Sequence, residues 1–341
     1  MRALPQPRPV GDVPSLRWGI LGTGWIAHQF VSTLLANTGQ RVVAVGSRTT
    51  QRSREFADGF GIEHAFGSYE ELVNSDVDVI YVATGHLDHL AHARLALEAG
   101  KPVLVEKPMT PKLADTEELV GVARSRGLFC MEGVWSLALP RYDVVRQILE
   151  SGMLGEVRSV AADMGEYLVD HHRAMDPAQA GGAMNDLGTY PLMFVDWVLP
   201  GLSVVAATGQ RHATGAVGQF AALLVDGESR QAVVHASMVA DTPTTAVVAG
   251  SEATLVLDGP FYHPGPVEVR FRDGEVLRWE EERVAHVGLY HEALEVARCI
   301  GAGLTESPIR PLDATLSTIT LMERARDLMG DPLPWHTAPA G

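Results

Sequence analysis

Cysteine is scarce in this sequence. The 341 residues contain only Cys130 and Cys299, each inside an apolar helix or strand pattern, and neither lies in a C-x-x-C pair or another metal-ligand spacing. The pattern gives no indication of a cysteine-based metal site. It indicates a reducing compartment, and we expect a cytoplasmic protein.

Long apolar runs and a surplus of basic charge are absent as well. No stretch approaches the ~18 consecutive apolar residues of a membrane span, and residues 1–15 are proline-rich without an apolar signal region, which predicts a loose leader. The 27 Lys and Arg residues stand against 42 Asp and Glu residues, for a net charge of -15. This balance argues against a nucleic-acid or membrane partner, so we expect a small-molecule substrate.

A glycine-rich turn follows the first apolar strand. The stretch GILGTGWIA carries the pattern G-x-G-x-x-A and runs into a helical pattern. Gly22 makes the tight turn, Gly24 lets the backbone approach a pyrophosphate, and Ala27 keeps the helix close to the strand. Because the motif lies between a strand and a helix, it predicts a dinucleotide site; a tight turn without a ligand is the alternative. The expected cofactor contacts are Gly22, Thr23, Gly24, Trp25 and Ile26.

The end of the second strand indicates which dinucleotide is bound. An NAD site usually has an acid about 20 residues past the glycines, whereas an arginine accommodates the 2′-phosphate of NADP. Here the strand at 41–45 is followed by Ser47 and Arg48, and no acid is present. We therefore expect NADP as the preferred cofactor, with NAD possible; a solvated loop arginine is the alternative for Arg48.

A histidine cluster follows the strand at 77–82. His86, Asp88, His89 and His92 have a spacing that could hold a metal. Polar residues at the cofactor edge of a sheet explain the cluster equally well, so we predict no metal. Thr84 and His89 are expected to lie near the cofactor, with His89 beside the nicotinamide or the substrate.

Glu106-Lys107-Pro108 comes directly after the buried strand at 101–105. Six alternating strands and helices between residues 16 and 133 predict a doubly wound parallel sheet. Ligands collect at the carboxyl ends of such strands, where Lys107 could meet a substrate oxygen. Pro108 could fix the direction of the lysine through a cis bond. Glu106 is expected to contact the cofactor.

The second half of the chain predicts a different architecture. A polar loop with His171, His172 and Arg173 precedes the stretch GGAMNDLGTYP, in which Asp186 and Tyr190 are four apart and should share one helix face. Residues 203–279 read as successive strands with Asp-Gly turns, typical of an antiparallel sheet. Two amphipathic helices, at 289–302 and 312–329, follow.

These residues together resemble the Gfo/Idh/MocA family of NAD(P)-dependent oxidoreductases, over residues 18–330. The marks are the glycine turn, Glu106-Lys107-Pro108, Trp135 with Pro140, Gly-Gly-Ala ahead of Asp186 and Tyr190, and the turn at 303–308. The resemblance implies a Rossmann domain plus an α/β domain with a large open-faced, mostly antiparallel sheet, which often forms a homodimer or a higher homo-oligomer. We therefore predict a leader at 1–15, a dinucleotide-binding domain at 16–133, a substrate and dimerisation domain at 134–330 and a tail at 331–341.

The resemblance also implies residue roles. Lys107 matches a catalytic or substrate-orienting lysine. Tyr190 stands where sugar and inositol dehydrogenases have a histidine, which is similar to the branch with dihydrodiol dehydrogenase and glucose-fructose oxidoreductase, where a tyrosine is the acid/base and NADP is common. Leu137 departs from that branch by replacing an arginine. Arg173, ahead of Met175-Asp176-Pro177, matches it and is expected to touch substrate or cofactor.

The predicted function is hydride exchange between nicotinamide and a hydroxyl or carbonyl carbon of a sugar, polyol or cyclic diol. Tyr190 would be the general acid/base, Lys107 would stabilise the developing oxyanion, and Asp186 would orient either the substrate hydroxyl or Lys107, in a site between the two domains. A packed Tyr190 and a helix-capping Asp186 are the structural alternatives. The functional alternatives are a non-catalytic cofactor-binding sensor and an NAD-dependent glycosidase.

Overall fold

The computed structural model describes residues 2–169, 173–281 and 288–331. Within these ranges the chain forms a six-stranded sheet, an eight-stranded sheet and the helices between the strands. The loop residues His171 and His172 and the tail after residue 331 lie outside the described residues. None of the helices in the described ranges combines the length and the apolar character needed to cross a membrane.

Contacts divide the chain into two compact units. The first unit consists of Pro9–Leu139 and Val284–Leu316, and the second of Met1–Arg8, Pro140–Arg283 and Ser317–Gly341. The predicted functional boundary at 133–134 stays a prediction. By contacts, however, the segment at 284–316 groups with the first unit and not with the part of the chain that precedes it.

The first unit contains the parallel sheet. Its strands are β1 (Arg17–Leu21), β2 (Arg41–Gly46), β3 (His64–Phe66), β4 (Val79–Val82), β5 (Val103–Glu106) and β6 (Cys130–Gly133). They lie in the order β3-β2-β1-β4-β5-β6, and every pairing is parallel. This is the strand order of the dinucleotide-binding fold, so the predicted doubly wound sheet is confirmed.

Both helices predicted for the end of the chain, at 289–302 and 312–329, are present among the helices of the described ranges. The α-helices of these ranges are α1 (Trp25–Asn37), α2 (Thr50–Phe60), α3 (Tyr69–Val73), α4 (His89–Glu98), α5 (Leu113–Arg126), α6 (Pro140–Glu150), α7 (Thr189–Val198), α8 (Tyr290–Gly301) and α9 (Leu312–Met329). Local chemistry sets the ends of several of them. The Thr49 side chain accepts a hydrogen bond from the Arg52 amide at the start of α2, and Gly61 ends that helix in the left-handed conformation.

The second unit contains the larger sheet. Its strands are β7 (Val157–Gly165), β8 (Ser203–Arg211), β9 (Val217–Val225), β10 (Gln231–Ser237), β11 (Ala246–Gly250), β12 (Ala253–Leu257), β13 (Val267–Phe271) and β14 (Val276–Trp279). The order is β14-β13-β12-β11-β7-β10-β9-β8. All its pairings are antiparallel except that of β7 with β10, so the predicted mostly antiparallel sheet is confirmed.

One face of this sheet is buried and the other carries exposed apolar side chains. Val160, Ala162 and Val234 point inward and are at most 3% exposed. The opposite face carries an outer apolar row, in which Leu223 pairs with Val233, Val233 with Ala161, and Ala161 with Val247. Leu223 and Val233 in that row are 36% and 49% exposed.

The first residues of the N-terminal leader make polar contacts with the second unit, and the predicted loose leader at 1–15 stays a prediction. Residues 2–16 lack regular secondary structure, but the Arg2 guanidinium pairs with Asp273 at 2.6 Å and with Glu275 at 2.7 Å. Farther along, the Arg8 amide donates to the Asp143 carboxylate at 2.7 Å. Ionic and backbone contacts therefore join these residues to the second unit, which proline-rich composition alone does not reveal.

Candidate functional site

The glycine turn at the end of β1 has the geometry of an anion cradle. Gly22 has φ +105°, and a Cβ at this position would lie 2.6 Å from the Ala83 carbonyl oxygen, so only glycine fits. Nothing lies within 4 Å of a Cβ built on Gly24, which leaves the start of α1 open to a ligand. Helix N-termini bind phosphates through unpaired amide groups and the helix dipole. Thr23 and Ile26 are half-buried beside the turn, and Trp25 is 72% exposed.

The turn after β2 separates Ser47 from Arg48. Ser47 is buried, and its hydroxyl donates to the Thr49 carbonyl at 2.8 Å and accepts from the Ser53 hydroxyl at 3.0 Å. Arg48 is exposed. Ser47 thus stabilises the turn, while Arg48 is accessible to a 2′-phosphate.

His89 lies inside the protein at the end of β4. Its Nδ1 is 3.0 Å from the Pro108 carbonyl oxygen and its Nε2 is 3.2 Å from the Thr84 carbonyl oxygen. Burial lowers the pKa of His89, so the ring is neutral and donates to one of the two carbonyls. The imidazole therefore links the segment with Lys107 to the end of β4, and its predicted place beside the nicotinamide stays a prediction.

The other members of the histidine cluster contact neighbouring side chains. Nδ1 of His92 lies 3.0 Å from the Thr84 hydroxyl, and the buried His86 ring meets that of His89 edge-on. Within the described ranges, no group of three or more His, Cys, Asp or Glu side chains is placed to hold a metal ion.

Glu106-Lys107-Pro108 ends β5 with a cis peptide bond between Lys107 and Pro108, as the sequence suggested. Lys107 is half-buried. Glu106 accepts the Tyr81 hydroxyl at one oxygen and the Lys107 amide at the other, at 3.2 Å. Burial raises the pKa of Glu106, while Tyr81 and the Lys107 charge oppose that rise. The Glu106 carboxyl group thus stabilises the backbone at Lys107. The predicted contact of Glu106 with the cofactor stays a prediction.

Sequence reasoning missed Glu132, which holds the same segment from β6. One oxygen of its fully buried carboxylate accepts the Met109 amide at 2.8 Å. The other accepts Nε and Nη2 of Arg310 at 3.0 and 2.7 Å, and the Thr315 hydroxyl at 3.1 Å. The signal available was an acid at the end of an apolar strand. Its partners lie 178 and 183 residues away, beyond the reach of local patterns.

A second missed acid, Glu292, lies near Glu106. It is 0% exposed, and neither carboxyl oxygen has a hydrogen-bond partner among the residues that the structure describes. A Cβ built on Gly133 would lie 3.4 Å from one of these oxygens. Burial raises the pKa of Glu292 well above its ordinary value, and the Glu106 carboxyl adds to the rise. Burial therefore favours the neutral form of the Glu292 carboxyl group.

In the second unit, Asp186 lies in a turn wider than an α-helix. A Cβ at Gly181 would lie 2.5 Å from the Ala174 carbonyl oxygen. The first glycine of the Gly-Gly-Ala stretch therefore leaves no room for a side chain. Met184–Gly188 then form a π-helical turn ahead of α7. The prediction that Asp186 and Tyr190 share a helix face assumed regular α-helical spacing. A π-turn, which repeats with i→i+5 bonds, lies between them, and the shared face stays a prediction.

Arg173 and Asp186 do come together. An Arg173 nitrogen lies 3.8 Å from an Asp186 oxygen, and the Gly182 amide donates to the other oxygen at 3.3 Å. Arg173 is more than half exposed in this pair, with 53% of its side chain in solvent. Two predicted substrate contacts therefore present opposite charges side by side.

Tyr190 is the second residue of α7 and is 5% exposed. Its ring stacks on that of Tyr262, with centroids 4.7 Å apart and an angle of 28° between the planes. Pro191 follows directly and has no backbone N–H to donate to the preceding π-turn. The sequence signalled Tyr190 but not Tyr262, which is 72 residues away.

Asn185 and Arg326 fix the turn that carries Asp186, and neither was predicted. The buried guanidinium of Arg326 in α9 donates to the Asn185 side-chain oxygen, and the Asn185 amide donates to the Ala180 carbonyl at 2.8 Å. Burial lowers the pKa of Arg326 to about 10, so it remains a cation at neutral pH. The loop before α7 is therefore held from within the unit.

Comparisons with known families cover both halves of the chain. The profile described as "Oxidoreductase family, NAD-binding Rossmann fold" matches residues 16–134. The profile of the "GFO/IDH/MocA C-terminal domain" matches residues 142–256.

Individual relatives match almost from end to end. Trans-1,2-dihydrobenzene-1,2-diol dehydrogenase of Bos taurus is 37% identical over 94% of this chain and 98% of its own length; the Homo sapiens enzyme of that name is 34% identical over the same shares. A 3-ketoreductase from Actinomadura kijaniata, solved with NADP and TDP-benzene, superposes with a TM-score of 0.81 at 28% identity, over 93% of this chain and 98% of that one. Lysine-to-alanine and tyrosine-to-phenylalanine variants of that enzyme superpose as well, with TM-scores of 0.79 and 0.82.

Proposed function

Because the chain belongs to the Gfo/Idh/MocA family of oxidoreductases, we propose that it transfers a hydride between NADP and a small substrate. The reacting carbon bears a hydroxyl or a carbonyl group, and the substrate is a sugar, a polyol or a cyclic diol. The names of the matched relatives, a diol dehydrogenase and a ketoreductase, support this substrate class.

One observation carries the proposal. The glycine turn and Lys107 lie at the carboxyl ends of β1 and β5 of the same parallel sheet, separated only by β4. This is the edge at which open α/β sheets bind dinucleotides and their reaction partners. A cation there can stabilise negative charge that develops on a substrate oxygen.

The cofactor is NADP in preference to NAD. An exposed Arg48 and the absence of an acid at the end of β2 support this choice, as does the NADP in the related ketoreductase. Arg48→Ala should raise the Kd for NADPH roughly tenfold or more, the loss of one charge-assisted contact, and leave that for NADH unchanged. Fluorescence titration of both cofactors measures this; an equal change for the two would contradict the assignment.

Tyr190 exchanges the proton and Lys107 stabilises the charge. When bound, the nicotinamide supplies the hydride chemistry. The Tyr190 hydroxyl donates a proton to the substrate oxygen in reduction and removes it in oxidation. The Lys107 ammonium group favours the ionised form of a substrate oxygen that contacts it. Asp186 and Arg173 orient the substrate.

A variant series tests these roles. We expect Lys107→Ala and Tyr190→Phe each to lower kcat by at least about a hundredfold on whichever compound a polyol and keto-sugar panel identifies, while NADPH still binds. Near-normal turnover by Tyr190→Phe would overturn the assignment. Tight NADPH binding without turnover on any compound would indicate a sensor, and hydrolysis without net redox change would indicate a glycosidase.

The chain also works as a homo-oligomer in the cytoplasm under this proposal. The outer apolar row of the second sheet, with Val233 at 49% exposure, supports a dimer through that face. The buried free thiols of Cys130 and Cys299 fit a reducing compartment.

A further inference from the structure

The loop at 258–266, between β12 and β13, packs on the helix that carries Tyr190. The Tyr262 ring stacks on that of Tyr190 at 4.7 Å. Its neighbour Phe261 meets Phe194 edge-on, with ring centroids 5.5 Å apart. Phe194 lies one turn after Tyr190 in α7, so the loop contacts two successive turns of this helix.

Arg141 holds this loop from inside the second unit. Its side chain is 0% exposed, and it lies at the start of α6. The guanidinium donates to five loop carbonyls, those of Pro260, Phe261 and His263 at 3.2, 3.2 and 2.9 Å, and those of Asp258 and Pro266 at 2.9 and 2.7 Å.

The loop needs such a donor because it makes few ladder bonds. Buried carbonyl groups without a donor are costly, and a charged donor forms stronger hydrogen bonds than a neutral one. On the other side, the Gly265 amide donates to the Glu281 carboxyl at 3.2 Å. Arg141 and Glu281 therefore fix a loop whose own backbone pattern would not hold it.

We propose that Tyr262, held by the Arg141 loop, is a positioning residue that sets the ring orientation and the hydration of Tyr190. This inference rests on the proposed role of Tyr190 as acid/base. A stacked ring covers one face of the phenol, so the Tyr190 hydroxyl is confined to one direction and water reaches it from fewer sides. Burial, with Glu166 nearby, raises the pKa of Tyr262, and its own phenol stays neutral at working pH.

The test compares Tyr262→Leu with Tyr262→Phe. The leucine removes the aromatic stack, whereas the phenylalanine keeps it and removes only the hydroxyl. We expect Tyr262→Leu to lower kcat roughly tenfold, since a small misplacement of a reacting group is costly. We also expect it to move the Tyr190 limb of the pH–kcat/KM profile to lower pH, because a hydrated phenolate is better stabilised. Tyr262→Phe should keep the wild-type kcat and the wild-type pH profile. The two Tyr262 variants should bind NADPH like the wild type.

A spectroscopic readout separates this inference from the proposed function. Protein with carbon-13 at Cζ of its tyrosines gives the titration of Tyr190 directly by NMR, with the signal assigned from Tyr190→Phe. A lower titration midpoint in Tyr262→Leu but not in Tyr262→Phe supports the inference even if Tyr190→Phe proves active. An unchanged midpoint, or a wild-type pH profile in Tyr262→Leu beside an inactive Tyr190→Phe, overturns it. Arg141→Lys, whose ammonium cannot reach all the loop carbonyls, should show the same lower titration midpoint as Tyr262→Leu. If Arg141→Lys does not fold, the comparison of the two Tyr262 variants tests the inference alone.

Discussion

Two buried arginines, Arg141 and Arg326, organise the loops of the second unit through oxygen atoms that carry no formal charge. Arg141 donates to the carbonyls of the loop with Tyr262, and Arg326 donates to Asn185 beside Asp186. Burying a charge is costly, and several hydrogen bonds are needed to offset the loss of water. Sequence patterns do not identify such arginines, because residue type alone does not distinguish a buried arginine from a surface one.

At the same scale, the residues with a local signature were predictable. Gly22 and Lys107 were predicted from their places after strands, and the structure puts them at one edge of the sheet. Glu132, Glu292 and Tyr262 were not, since each acts through a neighbour remote in sequence. A single sequence carries no information about such pairs beyond residue type.

Glu292 makes stability depend on pH. Its carboxyl group has an ordinary pKa of 4.5 when exposed and a pKa raised well above that value when buried, so the folded state binds more protons in between. The contribution of Glu292 to the free energy of unfolding therefore falls as pH rises above about 5. Glu292→Gln lacks this titrating group. The free energy of unfolding of the variant minus that of the wild type should therefore grow by roughly 1.4 kcal/mol per pH unit until the pKa of Glu292 in the folded state is reached.

Urea denaturation of both proteins between pH 5 and pH 8 measures the effect. Glu117→Gln on exposed α5 surface is the matched control and should show no such trend. A constant difference between Glu292→Gln and the wild type across this range would mean that the Glu292 carboxyl is not held neutral in the fold.

Among the elements, boundaries followed the clarity of the local signals. The predicted helix at 312–329 agrees with α9 to the residue, because it has a sustained pattern and a definite end. The π-turn at Met184–Gly188 could not be predicted, since its hydrogen bonds depend on the packing of Gly188 and Asn185 and not on propensity.

Gly188 shows what this turn requires. A Cβ there would lie 2.6 Å from the ring of Phe220, which is itself 2% exposed and has no room to retreat. We expect Gly188→Ala to lower the free energy of unfolding by about 1–3 kcal/mol through overpacking, and to reduce turnover by shifting the start of α7.

Gly121→Ala in α5 provides the control. Nothing lies within 4 Å of a Cβ at that position, so the alanine should stabilise the protein by about 0.5–1 kcal/mol through helix propensity. Chemical denaturation of the two variants compares these opposite signs; a gain in stability for Gly188→Ala would show that the turn does not need its glycine.

For the whole molecule, composition and periodicity gave the correct architecture. A 46% hydrophobic chain of 341 residues predicted more than one core, and the switch from strand–helix alternation to successive strands predicted the two sheets. The return of 284–316 to the first unit was not predictable, because contacts such as the ion pair between Glu132 and Arg310 join residues that are remote in sequence.

The outer apolar row leads to a prediction about assembly. Val233 lies at its centre, between Leu223 and Ala161. We expect the wild type to be a dimer at micromolar concentration and Val233→Lys to dissociate it, since an interface core does not accept an unpaired charge. Leu35→Lys, at a residue that is 40% exposed on α1, should leave the dimer intact. Light scattering on the three proteins decides; a monomeric wild type would remove the prediction.

The ion pair of Glu132 with Arg310 has a consequence for modularity. A chain that stopped at residue 139 would keep all six strands of the first sheet but would leave the fully buried carboxylate of Glu132 without its cation. Removing one partner of a buried pair costs about 3–5 kcal/mol, a large share of the stability of a typical domain. The cofactor-binding unit therefore cannot be produced as a stable domain by truncating the chain at one position. Recombination between relatives would have to exchange its two distant segments together.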